Sequence, residues 1–132
     1  LYAVMKHQAR QVLIQTAEKN GIPWRQRSQD LATLDLEMRL AQITNPAVTY
    51  PDYYQVPFHA YSQGNLCWQA ACEAESATYS MGLRVWPQES LTWQAAQARL
   101  RGSFHQVLAT HVTQPVRDIL DIGCSVGIST MM

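Results

Sequence analysis

Val116-Arg117-Asp118-Ile119-Leu120-Asp121-Ile122-Gly123-Cys124-Ser125-Val126-Gly127-Ile128-Ser129-Thr130 decides how this chain is read. Ile119, Leu120 and Ile122 form a short apolar run around one acid, and a glycine closes it. Such a run suits a strand buried on both faces of a parallel sheet. Gly123 and Gly127 lack Cβ, so the backbone there can turn sharply and approach a ligand. Ser125, Ser129 and Thr130 suit the opening of a helix. A helix starting there aims free N–H groups and the positive end of its dipole at whatever lies above the turn. Cys124 is expected to pack within the turn.

Three nucleotide-binding motifs share this strand, turn and helix. The dinucleotide fingerprint G-x-G-x-x-G needs glycine at 125 and glycine or alanine at 128, where this chain has Ser125 and Ile128. The phosphate loop G-x-x-x-x-G-K-[ST] needs a lysine, and none follows Gly127. What remains is Asp-x-Gly-x-x-x-Gly with the acid at the strand end. An ordinary strand-to-helix turn that holds no ligand fits the same residues.

Asp121-Ile122-Gly123-Cys124-Ser125-Val126-Gly127 resembles the first motif of the class I S-adenosylmethionine-dependent methyltransferases, commonly Asp-x-Gly-Cys-Gly-x-Gly. Ser125 is the one departure, standing where the middle glycine is usual. The resemblance implies that Asp121, Gly123, Cys124, Ser125 and Gly127 form a cofactor turn for S-adenosyl-L-methionine. Backbone at 123–127 would meet the methionine part, and Asp121 would face its amino group directly or through water. In that family the acid ending the second strand holds the ribose, and the fourth-strand region helps build the active site. Both would lie beyond Met132. The expectation is therefore the N-terminal part of a longer enzyme.

The rest of the chain reads as helical. Met5, Ala9, Val12, Leu13 and Thr16 recur at helical spacing over 2–20, and Asn20-Gly21 with Pro23 is a stop signal. Leu31, Leu34, Met38 and Ala41, widened by Leu36, Leu40 and Ile43, predict one helix over 29–43. Both stripes are expected to face a core. A third helix is expected over 65–81, with a small-residue face of Cys67, Ala70, Ala71, Ala74, Ala77 and Thr78. Its second face carries Trp68, Cys72, Glu75 and Tyr79, with Glu75 read as a partly exposed, hydrogen-bonded acid. Cys67 and Cys72 read as small buried residues. A fourth helix is expected from Pro87 to about His111, with Trp93, Ala96, Leu100, Phe104 and Val107 as its stripe. Gly102 marks a break or a close contact in it.

Residues 46–64 hold Pro46, Pro51 and Pro57, which interrupt any helix, and four of the six tyrosines. Loops beyond ~12–15 residues are uncommon in compact domains and are often functional. Tyr54, His59 and Tyr61 are the candidate substrate or lid contacts, because aromatic side chains with polar tips suit a ligand wall. A packed segment anchoring the front helices is the competing reading. Tyr50-Pro51-Asp52-Tyr53-Tyr54, Pro57-Phe58-His59-Ala60-Tyr61 and Gly64-Asn65-Leu66-Cys67-Trp68 resemble plastid-type methyltransferases of photosynthetic organisms, whose helical segment precedes the catalytic domain.

The fold class expected is thus mostly α. Residues 1–112 form an N-terminal helical segment, and 113–132 form the first strand and turn of a truncated Rossmann-like α/β domain. The function expected is methyl transfer to a small-molecule acceptor. The catalytic residues are unknown, with His59 the candidate base should the acceptor have to lose a proton. His7, His105 and His111 show no metal-ligand pattern, and no metal is expected.

Ten basic and ten acidic residues balance to zero, which gives no footprint for nucleic acid. No apolar run approaches the ~20 residues of a membrane span. Charged residues are 15%, below the usual ~25%, which points to surface covered by a partner or a missing domain. Three cysteines without CxxC spacing read as reduced thiols in an intracellular protein; the cytoplasm is expected, or the plastid stroma as the resemblance implies. The competing function is a non-enzymatic helical interaction module.

Overall fold

The computed structural model describes residues 2–58 and 61–131. Five helices account for its regular structure: α1 Tyr2–Lys19, α2 Trp24–Ala32, α3 Leu36–Ile43, α4 Trp68–Gly82 and α5 Trp93–His111. The mostly helical expectation holds.

α1 stops where its sequence says it should. Gly21 has φ +78°. Its N–H donates to Glu18 O (3.0 Å), and the Ile22 N–H donates to Ala17 O (3.1 Å). This paired closure satisfies the last carbonyls and brings the residue after the glycine back onto the helix. Ala17 and Ile22 are both buried as a result, Ile22 completely. Pro23 then starts α2 and Trp24 goes inward at once.

The helix expected over 29–43 is two helices. α2 ends at Ala32, and Asp35 opens α3 by accepting from the Met38 N–H at 3.1 Å. A good N-cap contributes about 1 kcal/mol, enough to place a new start inside a stripe whose periodicity runs straight through. α5 also begins later than expected. Thr92 caps it through the Ala95 N–H (3.2 Å), so Pro87 belongs to the preceding turn. The helix passes through Gly102 without a break, and a Cβ there would meet nothing within 4 Å.

The core is small. Ile14, Ala17, Ile22, Trp24 and Tyr79 are buried together, with Leu13, Ala77, Leu83 and Trp93 packed around them. α4 is central, packing against both α2 and α5, while α1 packs on α2. Tyr79 of α4 stacks on Trp93 of α5 with centroids 4.4 Å apart. The Trp93 indole N–H reaches Gly21 O at 3.0 Å, tying α5 to the end of α1.

The expected stripes are only partly the buried ones. Leu13 is half-buried, but Met5, Ala9, Val12 and Thr16 lie outward, and Ile14 and Ala17 supply the α1 core contacts. Leu31 and Leu36 are half-buried, while Leu34, Met38, Leu40, Ala41 and Ile43 are exposed. Along α5, Ala96 is buried and Trp93 and Leu100 half-buried, whereas Phe104 and Val107 face solvent. Among the described residues, the apolar side chains of α3 and of the second half of α5 stay largely exposed.

The largest difference is at the end of the chain. Residues 112–121 form neither helix nor strand, and Ile119, Leu120 and Ile122 are 75, 85 and 88% exposed. The expected strand of the α/β domain is not formed. A parallel strand exists only by hydrogen bonding to neighbours across crossover connections, and the sole β pairing among the described residues is the Phe58–Tyr61 bridge.

Candidate functional site

The turn at 121–127 is built by backbone conformation. Gly123, Ser125 and Gly127 have φ of +84, +54 and +75°. Ser125 is the only non-glycine among the described residues in this left-handed region. That conformation costs an L-residue about 1–2 kcal/mol. The alternation 123, 125, 127 matches the three positions at which the resembled motif carries glycine. A Cβ at 123 would meet nothing within 4 Å, and one at 127 only Met131 Cε at 3.9 Å. The glycines are therefore required by dihedral angle rather than by lack of room.

Hydrogen bonds close the turn on itself. Gly127 N–H donates to Cys124 O (2.8 Å), and the N–H groups of Thr130 and Met131 both donate to Gly127 O (3.1 Å). The last bond has helical spacing, but residues 128–130 form turns and the helix expected after 127 is not formed among the described residues. Thr130 Oγ1 donates to Asp121 Oδ2 and bridges the two ends. Among the described residues nothing donates to the other carboxylate oxygen. Cys124 is exposed rather than packed, with Sγ 3.8 Å from Ser125 O.

The tyrosine loop divides in two. At its front, a 3-10 turn over Asp52–Tyr54 leaves Tyr53 and Tyr54 exposed, with ring centroids 4.6 Å apart. The Tyr53 phenol is pushed up by its hydrogen bond to Tyr54. At its back the chain is fastened. Phe58 and Tyr61 exchange backbone bonds of 3.1 and 3.0 Å. Gly64, at φ +78°, lies so close to the loop that a Cβ would come within 2.5 Å of Tyr54 O and 2.7 Å of Val56 O. His59 lies outside the described residues.

Tyr61 is an anchor. Its hydroxyl donates to Glu73 Oε2 at 3.2 Å. Glu73, only 5% exposed, is also ion-paired with Arg10 of α1. Burial pushes the Tyr61 phenol up, partly offset by the Arg10 charge. Two residues on, the arrangement recurs: Glu75 pairs with Arg27 of α2 and accepts from the Tyr79 hydroxyl. Arg27 also sits over the Tyr79 ring, 5.5 Å from its centroid. Burial, then the Glu75 bond, raises the Tyr79 phenol. Glu75 is thus the partly exposed, hydrogen-bonded acid expected of it. Sequence reading missed Glu73 and Arg10. The available signal was a Glu-x-Glu pair in a helix of small apolar residues, which needs cationic partners to be buried at all.

Tyr61 has its partners on α4 and α1, whereas Asp121 has its partner within the turn. Among the described residues, no three His, Cys, Asp or Glu side chains gather as a metal site, and no helix is long and apolar enough to cross a membrane. Cys72 is buried, and Cys67 caps α4, its Sγ 3.5 Å from the Ala70 nitrogen. Compared with protein-family models, curated proteins and solved structures, the chain matches none.

Proposed function

We propose that the chain is the N-terminal part of an S-adenosylmethionine-dependent methyltransferase acting on a small-molecule acceptor, with 121–127 as its cofactor turn. One observation carries the reading: left-handed backbone recurs at 123, 125 and 127, the glycine positions of the motif, and it does so even where the residue is serine. The donor set suits the ligand. A carboxylate with one oxygen uncommitted matches an ammonium, and the turn's N–H groups match a carboxylate. The bound cofactor would supply a methyl group on a sulfonium, and the protein's part is to hold and orient it. Asp121, steadied by Thr130, positions the amino end; Gly123, Ser125 and Gly127 shape the backbone; the tyrosine loop, anchored by Tyr61, offers Tyr54 and His59 as acceptor contacts. The exposure of Ile119, Leu120 and Ile122 supports the same reading, because a strand of an α/β domain carries such residues for burial by neighbours. It equally serves the second reading, a helical interaction module whose apolar tail pairs with a partner.

Calorimetric titration of S-adenosylmethionine into the longer protein that this reading implies separates the two. Binding is expected, with Asp121→Ala weakening it about tenfold or more, as for a hydrogen bond to a charged group. No binding to the longer protein refutes the enzyme reading. The chain 1–132 alone is expected to bind weakly or not at all.

A further inference from the structure

A groove of about 310 Å3 lies between the last turns of α1 and α4, away from every residue assigned above to cofactor or acceptor. Leu13, Leu83 and Pro87 give it apolar walls, backed by the core residues Ala17 and Ile22, and Arg84 stands in its lining. Its volume is at the lower end of small-molecule sites and corresponds to about ten water volumes at ~30 Å3 each. No acidic side chain lines it.

The charge at its edge is unmatched. Arg10, Arg25, Arg27 and Arg99 are paired with Glu73, Glu18, Glu75 and Glu89. Arg84 has no acidic partner among the described residues. The neighbouring polar groups are already turned to the backbone: Ser80 Oγ donates to Ser76 O, Asn20 Nδ2 to Thr16 O and Thr16 Oγ1 to Val12 O. An apolar trough with one uncommitted guanidinium and no competing carboxylate selects an apolar body carrying one anionic group. We infer that this groove is a binding site for a small carboxylic acid with an aromatic or aliphatic body of about ten non-hydrogen atoms. Arg84 would pair with the carboxylate, and Leu13, Leu83 and Pro87 would cover the body.

A purely structural role for Arg84 also exists. A cation after the last turn of α4 complements the negative end of that helix. The two roles separate by experiment. Phenylacetate is titrated into the full chain and followed by 1H–15N correlation spectra, with 2-phenylethanol as the neutral comparison. Saturable shifts confined to residues 13–22 and 80–87 are expected, with a dissociation constant on the order of 1 mM. Arg84→Gln should weaken phenylacetate about threefold, as for a solvent-exposed charge pair, while leaving 2-phenylethanol unchanged. Thr16→Trp, which places a large ring in the groove from an exposed position, should abolish binding of both with the circular-dichroism spectrum intact. Equal affinity for the acid and the alcohol, or an Arg84→Gln variant that lowers the melting temperature but binds phenylacetate normally, overturns the proposal; so does the absence of localised shifts.

Discussion

The helical body and the tail after His111 carry the same kinds of apolar residue and treat them oppositely. In the body, Ile14, Ile22, Trp24 and Tyr79 are enclosed. In the tail, Ile119, Leu120 and Ile122 are among the most exposed side chains of the molecule. The difference is one of partners. α1, α2, α4 and α5 offer each other faces within reach, and two arginine–glutamate–tyrosine links pin α1 and α2 to α4. The tail has a turn closed by its own backbone, and among the described residues nothing covers Ile119, Leu120 or Ile122. Apolar patterning shows which residues seek burial; whether they find it depends on elements far away in sequence.

The sharpest way to break the body is through its buried charge. Glu73→Ala leaves Arg10 without its counter-ion and Tyr61 without its acceptor. Removing one partner of a buried pair costs about 3–5 kcal/mol, so thermal unfolding should fall well below that of the parent chain and the tyrosine loop should loosen from α4. A paired substitution then tests the contrast directly. Ile22→Ala empties a completely buried position and should cost about 2–5 kcal/mol in chemical denaturation. Leu120→Ala changes an 85% exposed side chain and should stay within about 0.5 kcal/mol of the parent. Equal effects would mean that the tail is packed in solution.

A smaller effect is expected in alkali. The Tyr61 phenol is raised above its usual value of 10.0, first by burial, so the folded state holds that proton more tightly than the unfolded chain does. Its contribution is complete below pH about 10 and is lost as pH climbs through the folded value. Denaturation midpoints measured from pH 9 upward should therefore fall, and Tyr61→Phe should flatten part of that slope while leaving Tyr79, raised for a similar cause, to supply the rest.

Local signals in the sequence were reliable where the chemistry is local. Asn20-Gly21 placed the end of α1, because left-handed closure depends on a few adjacent residues. Asp35 and Thr92 carried the same kind of information at the starts of α3 and α5, and were overridden by an unbroken apolar period in one case and by Pro87 in the other. What could not be read was long-range. Which stripe packs, that Arg10 meets Glu73 63 positions away, and that Tyr61 donates to Glu73 of α4 are all set by tertiary placement. For the candidate site, the turn was legible down to its residues. Ser125, the irregular position in the sequence, takes a left-handed backbone in the structure.

The central proposal is that the tail's turn binds the cofactor. Hydrogen exchange on the longer protein that this proposal implies, read by mass spectrometry with and without saturating S-adenosylmethionine, tests it most directly. Slower exchange concentrated at residues 121–131, with α1 and α4 unchanged, is the predicted result. Unchanged exchange at 121–131, although the protein is shown to bind the cofactor, would place the cofactor elsewhere and contradict the account.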